Sequence, residues 1–273
     1  EERLASVCAR RYAVACSSGT SALELALAAL GVEGGEVLCP DLSWPSPAHA
    51  IVDAGATPVL FDVDPISWNG TAQGARAAIG PATRAAIVID QLGMPAAHPI
   101  ALDVPLISDA ACSIGATVDG RPAPSFGRIA CLSFHPRKLL TTGEGGACLT
   151  DDEELAEALR ALRNHGQRDG RFAVAAGNHR MTEMAAAMGL AQLDRLDEIV
   201  ARRRALAERY RERLPAEWVQ RPARAGVESN AQTFGILVPD RDATIAALRA
   251  DDIEAGRLSF ALDRIESLED RFR

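Results

Sequence analysis

No run of uninterrupted apolar residues approaches the roughly 18 that a membrane span requires, and none of the six cysteines stands in a CxxC pair. The first absence argues against a membrane protein, and the second removes a redox dithiol and the common zinc arrangements. The five histidines form no cluster at metal-ligand spacing, so no metal is expected. A basic excess is missing as well: 29 Lys and Arg stand against 37 Asp and Glu, a net charge of −8. That balance leaves no basic face for nucleic acid, and any anionic ligand must be held locally. There is no internal repeat and no low-complexity linker. The opening "EERLASVCARRYAVAC" carries charges where a signal peptide would carry its apolar centre. The expectation is a cytoplasmic protein whose cysteines (Cys8, Cys16, Cys39, Cys112, Cys131, Cys148) are mostly buried, reduced, small apolar residues.

What is present is a chain of 273 residues, 48% hydrophobic, enough for one large domain and a smaller second unit. Short β-branched runs alternate with Ala/Leu-rich stretches, the rhythm of an α/β fold with a mostly parallel or mixed sheet. The predicted strands are "RYAVAC", "EVLCP", "TPVLFDV", "AAIVID", "VPLISD" and "IACLSF". "SSGTSALELALAALGV" predicts a loop entering a helix, with Ser and Thr as caps, Leu23, Leu27 and Leu30 as the apolar stripe and Gly31 as the stop. "TDDEELAEALRALRNHG" predicts a second helix with an acidic first turn. The longest helical pattern covers 181–214 and ends before Pro215. It predicts a bridge from a large domain, 1–200, into a C-terminal unit, 201–273, with a strand "AQTFGILV" and a helix "RDATIAALRADD".

Chemistry concentrates around "SFHPRKLLTTGEGG". A phosphate-binding P-loop places its glycines before the lysine, so that backbone N–H groups wrap the phosphates. Here Lys138 precedes Gly143, Gly145 and Gly146, and no GxGxxG follows a strand anywhere. The other use of such a lysine is a Schiff base with pyridoxal phosphate (PLP), which also needs an acid for its pyridine nitrogen, an anion site for its phosphate and an aromatic face. Gly19, Thr20 and Ser21 lie at a predicted helix N-terminus, which offers free N–H groups and a positive dipole end. Asp109 ends the strand "VPLISD", and Trp44 stands in the polar, Pro-rich "PDLSWPSP". Taken singly, each has a plainer explanation: a helix cap, a turn residue, a packing tryptophan, a solvated lysine. Their combination is what points to PLP.

Six ordered blocks, "SSGTSALELAL", "PDLSWPSPAHAIVDAGATPVLFDVD", "SDAACSIGA", "SFGRIACLSFHPRKLLTTGEGG", "LRNHGQ" and "GNHRMTEMAAAMGLAQLDRLD", resemble the DegT/StrS-type sugar aminotransferases across most of the chain. These are PLP enzymes of the aspartate-aminotransferase fold, fold type I. The resemblance implies a large domain with a mixed, mostly parallel sheet flanked by helices, and a small C-terminal α/β domain. It makes Lys138 the Schiff-base lysine, Asp109 the partner of the pyridine nitrogen and Trp44 the residue stacked on the ring. Gly19, Thr20 and Ser133 would bind the cofactor phosphate, joined by Asn178 from a neighbouring subunit, which implies a homodimer with shared sites. Arg180 is a further anion contact in the same block. The implied reaction moves an amino group from glutamate or glutamine to a ketone, usually on a nucleotide-linked keto-deoxysugar and less often on a keto-cyclitol.

Departures from the family pattern define what to look for. Cys112 stands where many relatives carry glutamine, which puts a thiol beside the cofactor in place of a polar contact. The connection "HPIALD" is too short for the helix that usually lies there, and His98 within it reads as a loop residue rather than a catalyst. The sequence is also shorter at both ends than the family commonly is. His135, three residues before Lys138, is near the cofactor by sequence without an assigned role. Two other functions stay open at this point. One is a PLP dehydratase of the same fold, although known relatives of that kind replace the lysine with histidine. The other is a shortened, non-catalytic paralogue serving dimerisation or regulation.

Overall fold

The apolar runs become strands of one seven-stranded sheet in the computed structural model, which describes residues 1–272. The strands are β1 (Tyr12–Cys16), β2 (Glu36–Pro40), β3 (Thr57–Phe61), β4 (Thr83–Ile89), β5 (Leu106–Asp109), β6 (Ile129–Ser133) and β7 (Gly146–Thr150). From the Tyr12–Cys16 edge, the spatial order is β1, β7, β6, β5, β4, β2, β3. β3, β2, β4, β5 and β6 run parallel. β7 is antiparallel to both β6 and β1. Six strands therefore point the same way, and their carboxyl ends share the edge at which open α/β sheets meet ligands.

Among the described residues, eight α-helices flank the sheet or follow it: α1 (Glu2–Val7), α2 (Gly19–Leu30), α3 (Ser46–Asp53), α4 (Ala72–Ala78), α5 (Glu153–Arg163), α6 (Glu183–Leu193), α7 (Leu196–Arg211) and α8 (Arg241–Ala250). Successive strand residues face opposite sides. Val14, Cys39, Ile87 and Ile129 pack with Leu23 and Leu27 of α2, Ile51 of α3 and Leu159 of α5. Leu132 and Leu149 face the other way, toward Leu4 of α1 and Leu196 and Val200 of α7. Fully burying a leucine such as Leu23 or Leu27 stabilises the fold by about 1.5–3 kcal/mol. Cys16, Cys39, Cys131 and Cys148 sit inside the first cluster as small apolar residues, and all six cysteines are free thiols.

Two sequence expectations are corrected, and one strand was missed. The 181–214 pattern is two helices, α6 and α7, because the chain breaks at Asp194 and Arg195, where Arg195 has φ −108° and ψ 4°. "AQTFGILV" forms no strand; Ile236 makes one isolated bridge with Val219, and Asn230 and Gln232 ahead of it bond to the loops after β5 and β6 instead. β7, which follows the glycine turn directly, lacked a β-branched signal beyond Thr150. The last segment also packs back beside the sheet: Phe260–Ala261 pairs with Leu42–Ser43, and Leu262 and Leu268 are buried in the α2 and α3 cluster. Among the described residues, no helix is long and apolar enough to cross a membrane, and no group of three or more His, Cys, Asp or Glu could hold a metal.

Candidate active site

Close packing at the carboxyl edge brings the β1–α2 turn onto the end of β6. A Cβ on Gly19 would lie 2.6 Å from Ser133 Cβ, and one on Gly146 would lie 2.2 Å from the Ser18 carbonyl oxygen. Only glycine permits either approach. Ser18 caps α2, its Oγ accepting from Ser21 N at 3.0 Å. Helix geometry leaves the N–H groups of Gly19 and Thr20 without helical partners, at the positive end of the dipole and beside Ser133 Oγ. Thr20 Oγ1 lies 3.1 Å from Ser46 Oγ at the start of α3. Ser21 is committed to the cap, because it is buried and its hydroxyl lies 3.1 Å from both Ser17 Oγ and Ser18 Oγ.

Asp109 and Lys138 come from neighbouring structure, the end of β5 and the turn after β6. Asp109 is only 6% exposed, and its carboxylate accepts from Ala111 N at 3.1 Å. Burial pushes its pKa up, while the Ala111 N–H and the charge of Lys138 pull it down. A buried carboxyl of this kind is suited to a cation brought against it. Lys138 Nζ donates to Cys112 Sγ at 3.0 Å. Cys112 therefore meets the lysine amine directly, a contact the sequence did not indicate.

Trp44 is 49% exposed, meets Phe260 edge-on with ring centroids 5.5 Å apart, and has the Arg137 guanidinium 5.4 Å from its centroid. The tryptophan lies on the connection between β2 and α3, with ring surface still open to a ligand. His135 closes the turn ahead of the lysine: its carbonyl accepts from Lys138 N at 2.8 Å and its Nδ1 from Arg137 N at 3.2 Å.

Asn178 and Arg180 lie apart from this group. Asn178 is exposed and bridges Asn164, and Arg180 Nη1 donates to Asn164 Oδ1. Their loop borders a polar cleft of about 510 Å³ lined in part by Arg160, Arg163, Asn164, Arg168 and Arg180. The loop is anchored to the end of β1 through Ser17 N, which donates to the His179 carbonyl at 2.9 Å.

Three residues that sequence reasoning missed, Asn230, Gln232 and Asp90, hold the loops behind the site. Asn230 Nδ2 donates to the carbonyls of Cys112 (2.8 Å) and Ile114 (2.7 Å), and Gln232 Nε2 donates to the Arg137 carbonyl (2.6 Å) while its Oε1 accepts from Leu139 N. Two buried amides thus tie the loop after β5 to the lysine turn after β6. Asp90, at the end of β4, is buried and accepts from Ser113 Oγ (2.5 Å) and Ala96 N (2.8 Å). Burial raises its pKa to about 7. His98, a loop residue as expected, is fully buried, stacked on Phe126 at 4.8 Å, with Nε2 3.8 Å from Asp90 Oδ1 and neither ring nitrogen hydrogen-bonded. Asp90 had a visible signal, since it ends its strand just as Asp109 does.

Comparison with known proteins supplies the context for this geometry. Residues 1–269 match the DegT/DnrJ/EryC1/StrS aminotransferase family. GDP-perosamine synthase of Caulobacter vibrioides is 39% identical over 224 residues, covering 78% of this chain and 60% of its own length. A UDP-N-acetyl-3-dehydro-alpha-D-glucosamine 3-aminotransferase of Acidithiobacillus ferrooxidans is 39% identical over 263 residues, 93% of this chain and 71% of its own. The crystal structure of DesV from S. venezuelae superposes with a TM-score of 0.91 at 30% identity, over 100% of this chain and 77% of DesV. The chain thus spans three fifths of the Caulobacter relative's length. With its mixed sheet of fold type I, the chain belongs to the DegT/DnrJ/EryC1/StrS aminotransferase family.

Proposed function

We propose that the chain acts in a PLP-dependent aminotransferase that moves an amino group from an amino acid, glutamate or glutamine, to a keto group on a nucleotide-linked sugar. The observation that carries this reading is the convergence of the Lys138 amine, the buried Asp109 carboxyl and the Gly19–Ser133 contact on one sheet edge. The relatives' names supply the acceptor class, with GDP- and UDP-sugars both represented.

The residues present fit PLP. A carboxyl whose burial opposes its charge gains from a pyridinium, and the unpartnered N–H groups at the start of α2 suit a phosphate. When bound, the cofactor supplies an aldehyde and an electron-withdrawing ring. Lys138 Nζ would hold the aldehyde and, once free, take and return the proton at the donor's α-carbon. Asp109 would keep a proton on the pyridine nitrogen. Gly19 and Thr20, through their N–H groups, and Ser133, through its hydroxyl, would fix the phosphate. Trp44 would cover one ring face, and Cys112 would line the site beside the lysine.

The reading extends to a homodimer in which Asn178 of one subunit completes the phosphate site of the other. It is supported by surface that one chain leaves open. None of the residues of α6 is buried, with Met184 82%, Met188 48% and Leu190 45% exposed, and Phe172 nearby in the chain is 74% exposed. A helix that leaves large apolar side chains exposed suits an interaction face. We further assign 1–200 as the PLP-binding domain and 201–273 as the C-terminal unit, and place the protein in the cytoplasm, a compartment its six free thiols suit.

The test is spectroscopic. Purified protein with PLP should absorb at long wavelength, Lys138→Ala should remove that band, and glutamate should convert it while 2-oxoglutarate appears. A spectrum unchanged by PLP would sink the proposal.

A further inference from the structure

We infer that Cys112 is an oxidation site whose sulfur closes onto Lys138 Nζ, forming a reversible sulfur–nitrogen bridge that withholds the lysine from the cofactor. The two atoms are 3.0 Å apart. Their proximity is held by the backbone on both sides: Asn230 grips the Cys112 carbonyl, and Gln232, two residues on, grips both Arg137 and Leu139 around the lysine. One short segment thus clamps the thiol's loop to the amine's turn.

Cys112 also differs from the other thiols. Cys8, Cys16, Cys39, Cys131 and Cys148 are buried in the core clusters, whereas Cys112 is partly exposed. Exposure is what lets a peroxide reach a thiol, and the five buried ones are shielded from it.

The chemistry balances in two steps. A hydroperoxide oxidises the Cys112 thiol to a sulfenic acid: its O–O bond breaks, one oxygen joins sulfur and the other leaves as an alcohol, or as water from hydrogen peroxide. The Lys138 nitrogen lone pair then attacks that sulfur. The S–O bond breaks, hydroxide leaves with one N–H proton as water, and an S–N bond remains. The second step involves no further redox change. Two thiol molecules reverse the bridge: the first attacks sulfur and releases the amine, and the second frees Cys112 as the pair becomes a disulfide. The bridge itself needs no cofactor and stands independently of the aminotransferase reading.

Cofactor-free protein exposed to hydrogen peroxide should lose the mass of two hydrogens. Peptide mapping should then find the Cys112 and Lys138 peptides joined, with tryptic cleavage after Lys138 blocked. Dithiothreitol should restore both the mass and the cleavage. Cys112→Ala and Cys112→Ser should form no bridge, and saturating PLP should protect Lys138. Cys112 found only as sulfinic acid, or joined to nothing while the protein stays folded by circular dichroism, would overturn the inference, as would a bridge to a different amine. If the bridge forms but the reduced protein never develops the PLP band, the bridge survives and the cofactor reading fails.

Discussion

Asp90 and Asp109 end adjacent parallel strands, both are buried, and burial pushes both carboxyls up, yet their surroundings assign them opposite work. Asp90 accepts from Ser113 Oγ and Ala96 N and faces the buried ring of His98. Asp109 accepts from one backbone N–H and answers otherwise to the charge of Lys138. The first carboxyl is spent inside the fold, and on the proposed reading the second is left for a ligand. Burial alone does not distinguish a structural acid from a functional one. The partners already in place do.

Replacing each acid separates these roles, and the largest effect belongs to Asp109. Asp109→Asn should lower kcat/KM roughly 10²- to 10⁴-fold, the scale of losing a positioned proton-holding group. Its melting temperature should hold or rise, because a buried charge that resists ionisation is removed. Asp90→Ala should do the reverse, costing about 1–3 kcal/mol of stability as Ser113 and Ala96 lose their acceptor. Activity per folded molecule should persist. Denaturant unfolding combined with steady-state kinetics tests both, and an Asp90→Ala enzyme that is stable but inactive would dissolve the contrast. Next in size is Gly19→Ala, whose Cβ would press on Ser133 Cβ at 2.6 Å. Overpacking of this kind costs about 1–3 kcal/mol, and PLP titration should show weaker binding as α2 is pushed from β6.

The Asp90–His98 pair also makes a smaller prediction about pH. Asp90, raised from 3.8 to about 7, holds a proton in the native state that the unfolded chain has released, so its contribution is full below about pH 4 and is lost as pH rises toward 7. His98, lowered from 6.5 to about 4 by burial and by Arg10, acts oppositely: its contribution grows as pH rises from 4 to 6.5. The two slopes offset one another between pH 4 and 6.5. Asp90→Asn should leave stability rising with pH over that range, and His98→Gln should leave it falling. Urea midpoints measured across the range would show a flat profile in both variants if the pair is not the source.

Much of the sheet was legible because β4, β5 and β6 are buried on both faces and so appear as continuous apolar runs. β7 was not, since "GACLT" is short and begins with the glycine that the Ser18–Gly19 turn packs against. Asp109 and Gly19 could be proposed from a local pattern, a strand end and a helix start, and Lys138 from the glycine-rich turn that follows it, whereas Ser133 came with the family resemblance. The Cys112–Lys138 contact and the Asn230–Gln232 clamp could not, because they join segments about 26 and 95 residues apart through side chains whose meeting depends on packing.

Asn178 sharpens the comparison from the far side, because it is, with Arg180, a proposed ligand contact that its own chain leaves outside the cluster. Asn178→Ala should leave unfolding within about 0.5 kcal/mol of the parent, as expected of an exposed residue. PLP binding should weaken by one hydrogen bond, about 1 kcal/mol or roughly fivefold. A mixed dimer decides which subunit the residue serves. Pair a Lys138→Ala subunit with an Asn178→Ala subunit. If Asn178 reaches across, one site carries both defects and the other is intact, so half the sites bind PLP with parental affinity and show the long-wavelength band. If Asn178 serves its own chain, every site carries one defect and no site of parental affinity appears. Titrating the purified mixed dimer with PLP separates these outcomes, since the first gives a half-amplitude band at parental affinity and the second a half-amplitude band that saturates only at higher PLP.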